Sequence, residues 1–112
     1  MVRVGNYEVI VYKGDRSTLK FDIVEGGTNT DQDLTGYVPH LIVATSTGTV
    51  LDDISGSIEA GTTNRAVFVL TTASTGTVGM HNSEVKLKKS SNNFVDTIGS
   101  GKITVRATLV EI

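Results

Sequence analysis

Residues 14–37 read GDRSTLKFDIVEGGTNTDQDLTGY, and their pattern decides the fold class. Gly14-Asp15 is a turn signal. Over 16–24, Leu19, Phe21 and Ile23 alternate with Thr18, Lys20 and Asp22. Period-two alternation puts the apolar three on one face of a strand and the polar three on the other. A slip of one residue would put Phe21 in water, so the pairing of this strand is well specified. Residues 25–32 are polar and Gly-rich, an exposed loop. Asp33 and Thr35 can then bond local backbone in an Asx-type turn, Gly36 can take positive φ, and Tyr37 delivers a ring into the next strand.

Working outward, 7–13 reads as a first strand, with Val9 and Val11 on one face and Ile10 and Tyr12 on the other. Two apolar faces mean either a central strand or one covered by a partner chain. A strand over 37–45 carries Pro39 near its start, where a missing N–H is tolerable at an edge or a strand beginning. Residues 45–48 make a hairpin turn into 49–52, and Ile54 and Ile58 flank Gly56 in a short strand. Residues 65–71, RAVFVLT, are apolar on both faces, as in the middle of a sheet. Residues 72–77 fit a turn or one short helical turn.

Within 80–89, Val85 and Leu87 point inward, with Glu84, Lys86 and Lys88 outward. A hairpin loop at 90–93 leads into 94–98. Gly99-Ser100-Gly101 breaks the chain, as a bulge would. A last strand, 102–110, places Ile103, Val105, Ala107 and Leu109 on one face. Seven to nine short strands, regularly spaced with turn signals between them, predict an all-β fold: a single antiparallel β-sandwich, Ig-like with Greek-key connections. A small barrel is the runner-up. The 112 residues form one domain, 1–112, with 1–6 as an N-terminal arm suited to joining a neighbour's sheet edge.

Composition excludes several function classes. There is no cysteine to act as nucleophile or ligand. The formal net charge is −2 with both signs scattered, whereas a nucleic-acid binder concentrates basic charge to neutralise phosphates. No apolar run approaches the ~18 residues that a membrane-spanning helix requires. The N-terminus, MVRVGNYEVIVYKGD, lacks a small-residue cleavage site and does not read as a signal peptide.

Residues 29–33, NTDQD, have alternating oxygen donors like a calcium loop, but Leu34 and His40 stand where an EF-hand needs Gly and Glu. His40 and His81 lie far apart without close-spaced ligand partners and read as unrelated surface or edge residues. Asp52 and Asp53 are adjacent in a strand, so they point to opposite faces and read as turn and edge residues. No serine sits in a Gly-x-Ser-x-Gly elbow. The residues therefore imply no enzyme, no cofactor and no metal. The candidate surface is an interface: Tyr7, Val9 and Val11 on the first strand, with Lys86, Lys88, Lys102 and Arg106 forming a basic face beside Lys89. Such a face either stays solvated or docks an acidic partner.

The order of features carries a resemblance. It runs through Lys13-Gly14-Asp15, the strand Ser17-Thr18-Leu19-Lys20-Phe21-Asp22-Ile23, and Asp33-Leu34-Thr35-Gly36-Tyr37. It continues through Gly79 and Glu84-Val85-Lys86-Leu87 to Gly101-Lys102-Ile103-Thr104-Val105. From about Tyr7 onward the chain resembles the N-terminal domain of phage baseplate upper proteins (the BppU family) and related small β-sandwich domains of phage virions. The resemblance implies a non-enzymatic virion protein, assembled in the host cytoplasm and contacting capsid, fibre or baseplate subunits. It implies a homo-oligomer or many copies, and neither nucleic acid nor membrane as partner. The baseplate proteins continue into a stalk, whereas this chain stops at Ile112. That favours a capsid decoration subunit, a head-fibre base or a small baseplate or tail adaptor over a long fibre. The alternative is a carbohydrate- or surface-binding β-sandwich module, which would present exposed aromatics such as Tyr7, Tyr12 or Tyr37.

Overall fold

The computed structural model describes residues 2–3, 5–25 and 30–108. The alternating stretch forms β3 (Thr18–Asp22), with Leu19 and Phe21 packed against the core and Ile23 fully buried just beyond it. It pairs antiparallel with β8 (Arg65–Val69), so that Leu19 faces Phe68 and Phe21 faces Ala66. The short β7 (Ser57–Ile58) flanks β8 on its other side and completes a three-stranded sheet, β3-β8-β7. As the sequence predicts, 65–71 supplies the middle strand, and Ala66, Phe68 and Leu70 are buried.

The second sheet has five strands in the order β2-β10-β9-β5-β6. These are β2 (Gly5–Tyr12), β5 (Tyr37–Ala44), β6 (Val50–Ser55), β9 (Gly79–Lys89) and β10 (Val95–Arg106). In immunoglobulin lettering this sheet runs A′-G-F-C-C′ and the smaller one B-E-D, a Greek-key sandwich. Inward side chains of both sheets form one core, with Leu41, Val43, Val85, Leu87, Ile103 and Val105 meeting Ile23, Phe68 and Leu70. The pair β1 (Val2–Arg3) and β4 (Val24–Glu25) ties the N-terminal segment to the strand that follows β3.

Two of the corners at which the chain changes sheets show how they are fastened. Gly56 lies between β6 and β7, and its amide donates to the carbonyl of Pro39 at 2.8 Å. A Cβ there would sit 2.6 Å from Phe68 Cε1, so only glycine lets the corner close on that ring. At the other corner Thr71 caps the single turn α1 (Thr72–Thr75) in a capping box with Ser74. Thr75 Oγ1 then donates to the carbonyl of Asp15, and the amide of Gly14 donates to the carbonyl of Thr75, fastening α1 to the β2–β3 turn.

Several expectations are revised. The sandwich is not wholly antiparallel: β2 runs parallel to β10, from Gly5 beside Gly99 to Tyr12 beside Arg106. β2 lies at a sheet edge and not at its centre. Val2–Arg3 pairs within the chain and does not stand free as an arm; Met1 and Val4 lie outside the described residues. Gly99-Ser100-Gly101 does not break the chain, since β10 is continuous and its register shifts between Thr97 and Gly99. That bulge lets Ile98 and Ile103, one of even and one of odd number, both point inward.

Pro39 is in an interior strand. Its carbonyl, and therefore its nitrogen, faces Gly56 just past the end of β6, where a missing N–H is tolerable. His81 is buried, not superficial, and its Nε2–H donates to the carbonyl of Thr77 at 2.7 Å. This bond across the corner before β9 is the one that a tyrosine makes in immunoglobulin domains. Ala107 is exposed beyond the end of β10; Leu109 and Asn29 lie outside the described residues.

Candidate interface on the five-stranded sheet

Alternation along β9, β10, β5 and β2 fixes which side chains leave the core and face outward on the large sheet. The parallel and antiparallel registers then sort them into rows. One row runs Ile10, Thr104, Met80, and the next Glu8, Lys102, Asn82, Ala44. Ser100, Glu84, Ile42 and Asp53 follow, then Thr97, Lys86, His40 and Ser55, and last Val95, Lys88 and Val38. Charged and polar rows thus occupy the middle, and apolar side chains occupy both ends. Met80 is 61% exposed, Ile10 56% and Val95 52%.

Lys86, Lys88, Lys102 and Arg106 do share this face. It is a mixed surface and not a basic one, because acidic and amide groups interleave. Lys86 Nζ contacts Glu84 at 3.5 Å and donates to Thr97 Oγ1 at 2.7 Å, while Lys102 Nζ donates to Asn82. His40 Nδ1 bonds Asp53 Oδ1 at 2.9 Å on the rim of a hollow of about 200 Å³ with Ile42, Lys88 and Val95. A histidine–carboxylate pair orients an imidazole, but acyl transfer also needs an activated nucleophile and an oxyanion site beside it, and this rim shows neither among the described residues.

The expected contact residues on β2 face the other way. Val11 is buried, Val9 packs against the core, and Tyr7 is half-buried. The side chains that β2 exposes are Ile10 and Tyr12. The signal was present in the second apolar face of that strand, but sequence alone could not say which face was covered.

Tyr7 is held in an unusual way. It stands in register with Gly101 on β10, which stands in register with Ser83 on β9. Because Gly101 has no side chain, the Tyr7 ring crosses beneath β10, and its hydroxyl meets Ser83 Oγ at 2.6 Å. The ring packs against Phe21 at a centroid separation of 4.9 Å, and Phe21 against Phe68 at 5.9 Å. Burial raises the Tyr7 hydroxyl pKa above its ordinary value, an effect only partly offset by the Ser83 bond and reinforced by Glu84. On the outer side the same backbone floors an open depression of about 720 Å³, walled by Asn6, Glu8, Asn82, Glu84, Ser100 and Lys102.

The outer face of the small sheet is different. Arg65 bonds Asp22 at 2.7 Å and Glu59 at 2.9 Å, and Lys20 also reaches Glu59. The cations hold the Glu59 carboxyl below the usual range, and the two carboxylates hold the Arg65 guanidinium above its own. Ionic groups there satisfy one another; on the large sheet exposed apolar side chains do not.

Among the described residues no group of three His, Asp or Glu is placed to hold a metal ion, and no helix is long and apolar enough to cross a membrane. Among solved structures the chain is similar to the N-terminal domain of phage TP901-1 ORF48. The TM-score is 0.67 over 91% of this chain and 98% of that one, at 12% identity. At that identity the likeness is one of fold. No family model and no curated protein matches the chain.

Proposed function

We propose that the protein is a non-enzymatic structural component of a bacteriophage particle, acting through protein–protein contacts. The observation that carries this reading is the end-to-end correspondence with a phage protein's N-terminal domain. The exposed apolar ends of the five-stranded sheet supply the kind of surface such contacts use, because side chains like Met80, Ile10 and Val95 gain by leaving water. Within the particle, the roles we propose are a capsid decoration subunit, a head-fibre base or a baseplate or tail adaptor. The partners are other virion proteins, with neither nucleic acid nor membrane among them.

The sugar-binding alternative draws less support. Its natural groove, the depression above Gly101, is walled mainly by polar side chains, and the Tyr7 hydroxyl is turned to Ser83.

The test is the protein composition of purified particles of the phage that carries this gene. Peptides of this chain should be present in fixed ratio to the other particle proteins and should persist through density-gradient purification. Their absence from intact particles would overturn the assignment.

A further inference from the structure

We propose that β2 joins two copies of this chain edge to edge, antiparallel, about a two-fold axis at Val9. The inference deepens the structural role above. It rests on that role only for where the pairing is used, not for whether it forms.

Four strands end the two sheets: β2 and β6 in the large one, β3 and β7 in the small one. Natural proteins protect such edges by shortness, charge or bulges. Three of these four are protected. β7 is two residues long. β6 carries Asp52 and Asp53 and meets β5 through a register shift. β3 has five residues with Lys20 and Asp22 on its outer face. β2 has eight residues, GNYEVIVY, with one charge, no proline and no shift in its register with β10.

The backbone of that edge is set for pairing. The amide of Lys13 donates to the carbonyl of Arg106 at 2.8 Å. Alternate residues of a strand bond to opposite sides, so Tyr7, Val9 and Val11 bond to β10. Asn6, Glu8 and Ile10 turn their N–H and C=O groups to the open edge, as does the N–H of Tyr12. The Tyr12 carbonyl is engaged by the amide of Asp15 in the turn.

The occupant we commit to is a second copy, because its own β2 supplies a matching edge. A head-to-tail contact would need another open edge on the same molecule, and the other three are protected. An isologous pair uses the same edge twice and closes. Its register follows from strand overlap, which is fullest when the axis lies at the middle of β2, at Glu8 or Val9, and then from charge. Centring on Glu8 would oppose two carboxylates, which destabilises a ladder. Centring on Val9 sets Glu8 against Ile10 of the second copy and Asn6 against its Tyr12. On the inner face Val9 then stands opposite Val9, and Tyr7 holds the register position opposite Val11, with its ring turned under β10. The five-stranded sheets merge into one of ten.

Sedimentation of the purified chain over a concentration series tests this directly, and its result does not depend on the composition of any particle. The native chain should pass from monomer to dimer. Ile10→Glu should weaken the dimer at least about tenfold, because two pairs of carboxylates then oppose one another. Ile10→Lys should retain it, because each lysine meets Glu8 of the other copy. Ile10→Pro should abolish it with an unchanged circular dichroism spectrum, since the amide it removes faces away from β10. A native chain that stays monomeric throughout overturns the proposal, including one that instead takes up an extended segment of another virion protein at this edge. Loss of the dimer in both Ile10→Glu and Ile10→Lys overturns the register.

Discussion

Replacing Gly101 by alanine tests the most specific piece of architecture in the molecule. The new Cβ would lie 2.5 Å from Cδ2 and 2.7 Å from Cε2 of Tyr7, and also against the Tyr7 carbonyl oxygen. Ordinary carbon contacts are about 3.5–4.0 Å, so rotating one side chain does not suffice. Moving the ring relieves two of these contacts, but the contact with the carbonyl is relieved only if the two strands part. If the ring leaves, the Ser83 bond is lost, at about 1 kcal/mol, together with the Phe21 ring contact, at about 0.5–1.5 kcal/mol. If the strands part, overpacking costs about 1–3 kcal/mol. Against either stands a gain of about 0.4–1 kcal/mol, because alanine restricts the unfolded chain. The net expectation is a loss of about 1 kcal/mol, which lowers the melting temperature by roughly 4–8 °C for a domain near this size. Urea and thermal denaturation of Gly101→Ala, Tyr7→Ala and the double variant close a cycle. With the ring gone, the cost of Gly101→Ala should fall but not vanish, because the contact with the Tyr7 carbonyl remains. A near-native melting temperature for Gly101→Ala, or costs that add within about 0.5 kcal/mol, would refute the reasoning.

Other expectations follow from the corners and the titrating groups. Gly56→Ala should cost about 2–3 kcal/mol in the same denaturation assay, because its Cβ meets Phe68 and the carbonyl of Val67 at 2.7 Å or closer. Thr71→Ala removes the α1 cap and the hydroxyl that donates to Asp52, and should cost about 1 kcal/mol, read from the thermal midpoint. The Tyr7 hydroxyl should titrate above 10.0 in an ultraviolet difference titration. Since its folded pKa is the higher, the folded chain holds more protons near that pH, and stability should decline as pH rises through that region. Asp33 accepts from the amide and the hydroxyl of Thr35 and should titrate below 3.8 by carboxyl NMR. With the folded pKa depressed, its turn is intact above that range and loosens as pH falls through it, and the Thr35 amide resonance should follow the same curve.

Much of the fold was legible because period-two alternation is a local property. Leu19, Phe21 and Ile23, and likewise Val85 and Leu87, announce their faces without reference to any partner. Strand order is not local. That β2 pairs parallel with the last strand depends on a contact across nearly the whole chain, and no pattern within GNYEVIVY encodes it. The continuity of β10 was hidden for a related reason. Gly99 and Gly101 carry the signature of a break, yet the bulge falls between Thr97 and Gly99, and Gly101 is glycine to make room for a ring from another strand. His81 was misjudged because its polarity suggests a surface, while the carbonyl of Thr77 satisfies it inside.

The candidate surface was half legible for the same physical reason. Both apolar faces of β2 are visible in the sequence, but which one the sandwich covers depends on the register with β10. Once that register places Val9 and Val11 inside, Ile10 and Tyr12 are left outside on a strand with an open edge. The two outer faces of the molecule then divide. On the small sheet Lys20, Asp22, Glu59 and Arg65 satisfy one another, and burying them would desolvate paired charges for little return. On the large sheet, burying Ile10, Met80 and Val95 releases water from apolar surface, and the β2 edge offers a row of backbone groups that another strand can pair. The large sheet, with its apolar ends and its β2 edge, thus offers a neighbouring subunit more than the small sheet, whose exposed apolar contribution is Val69.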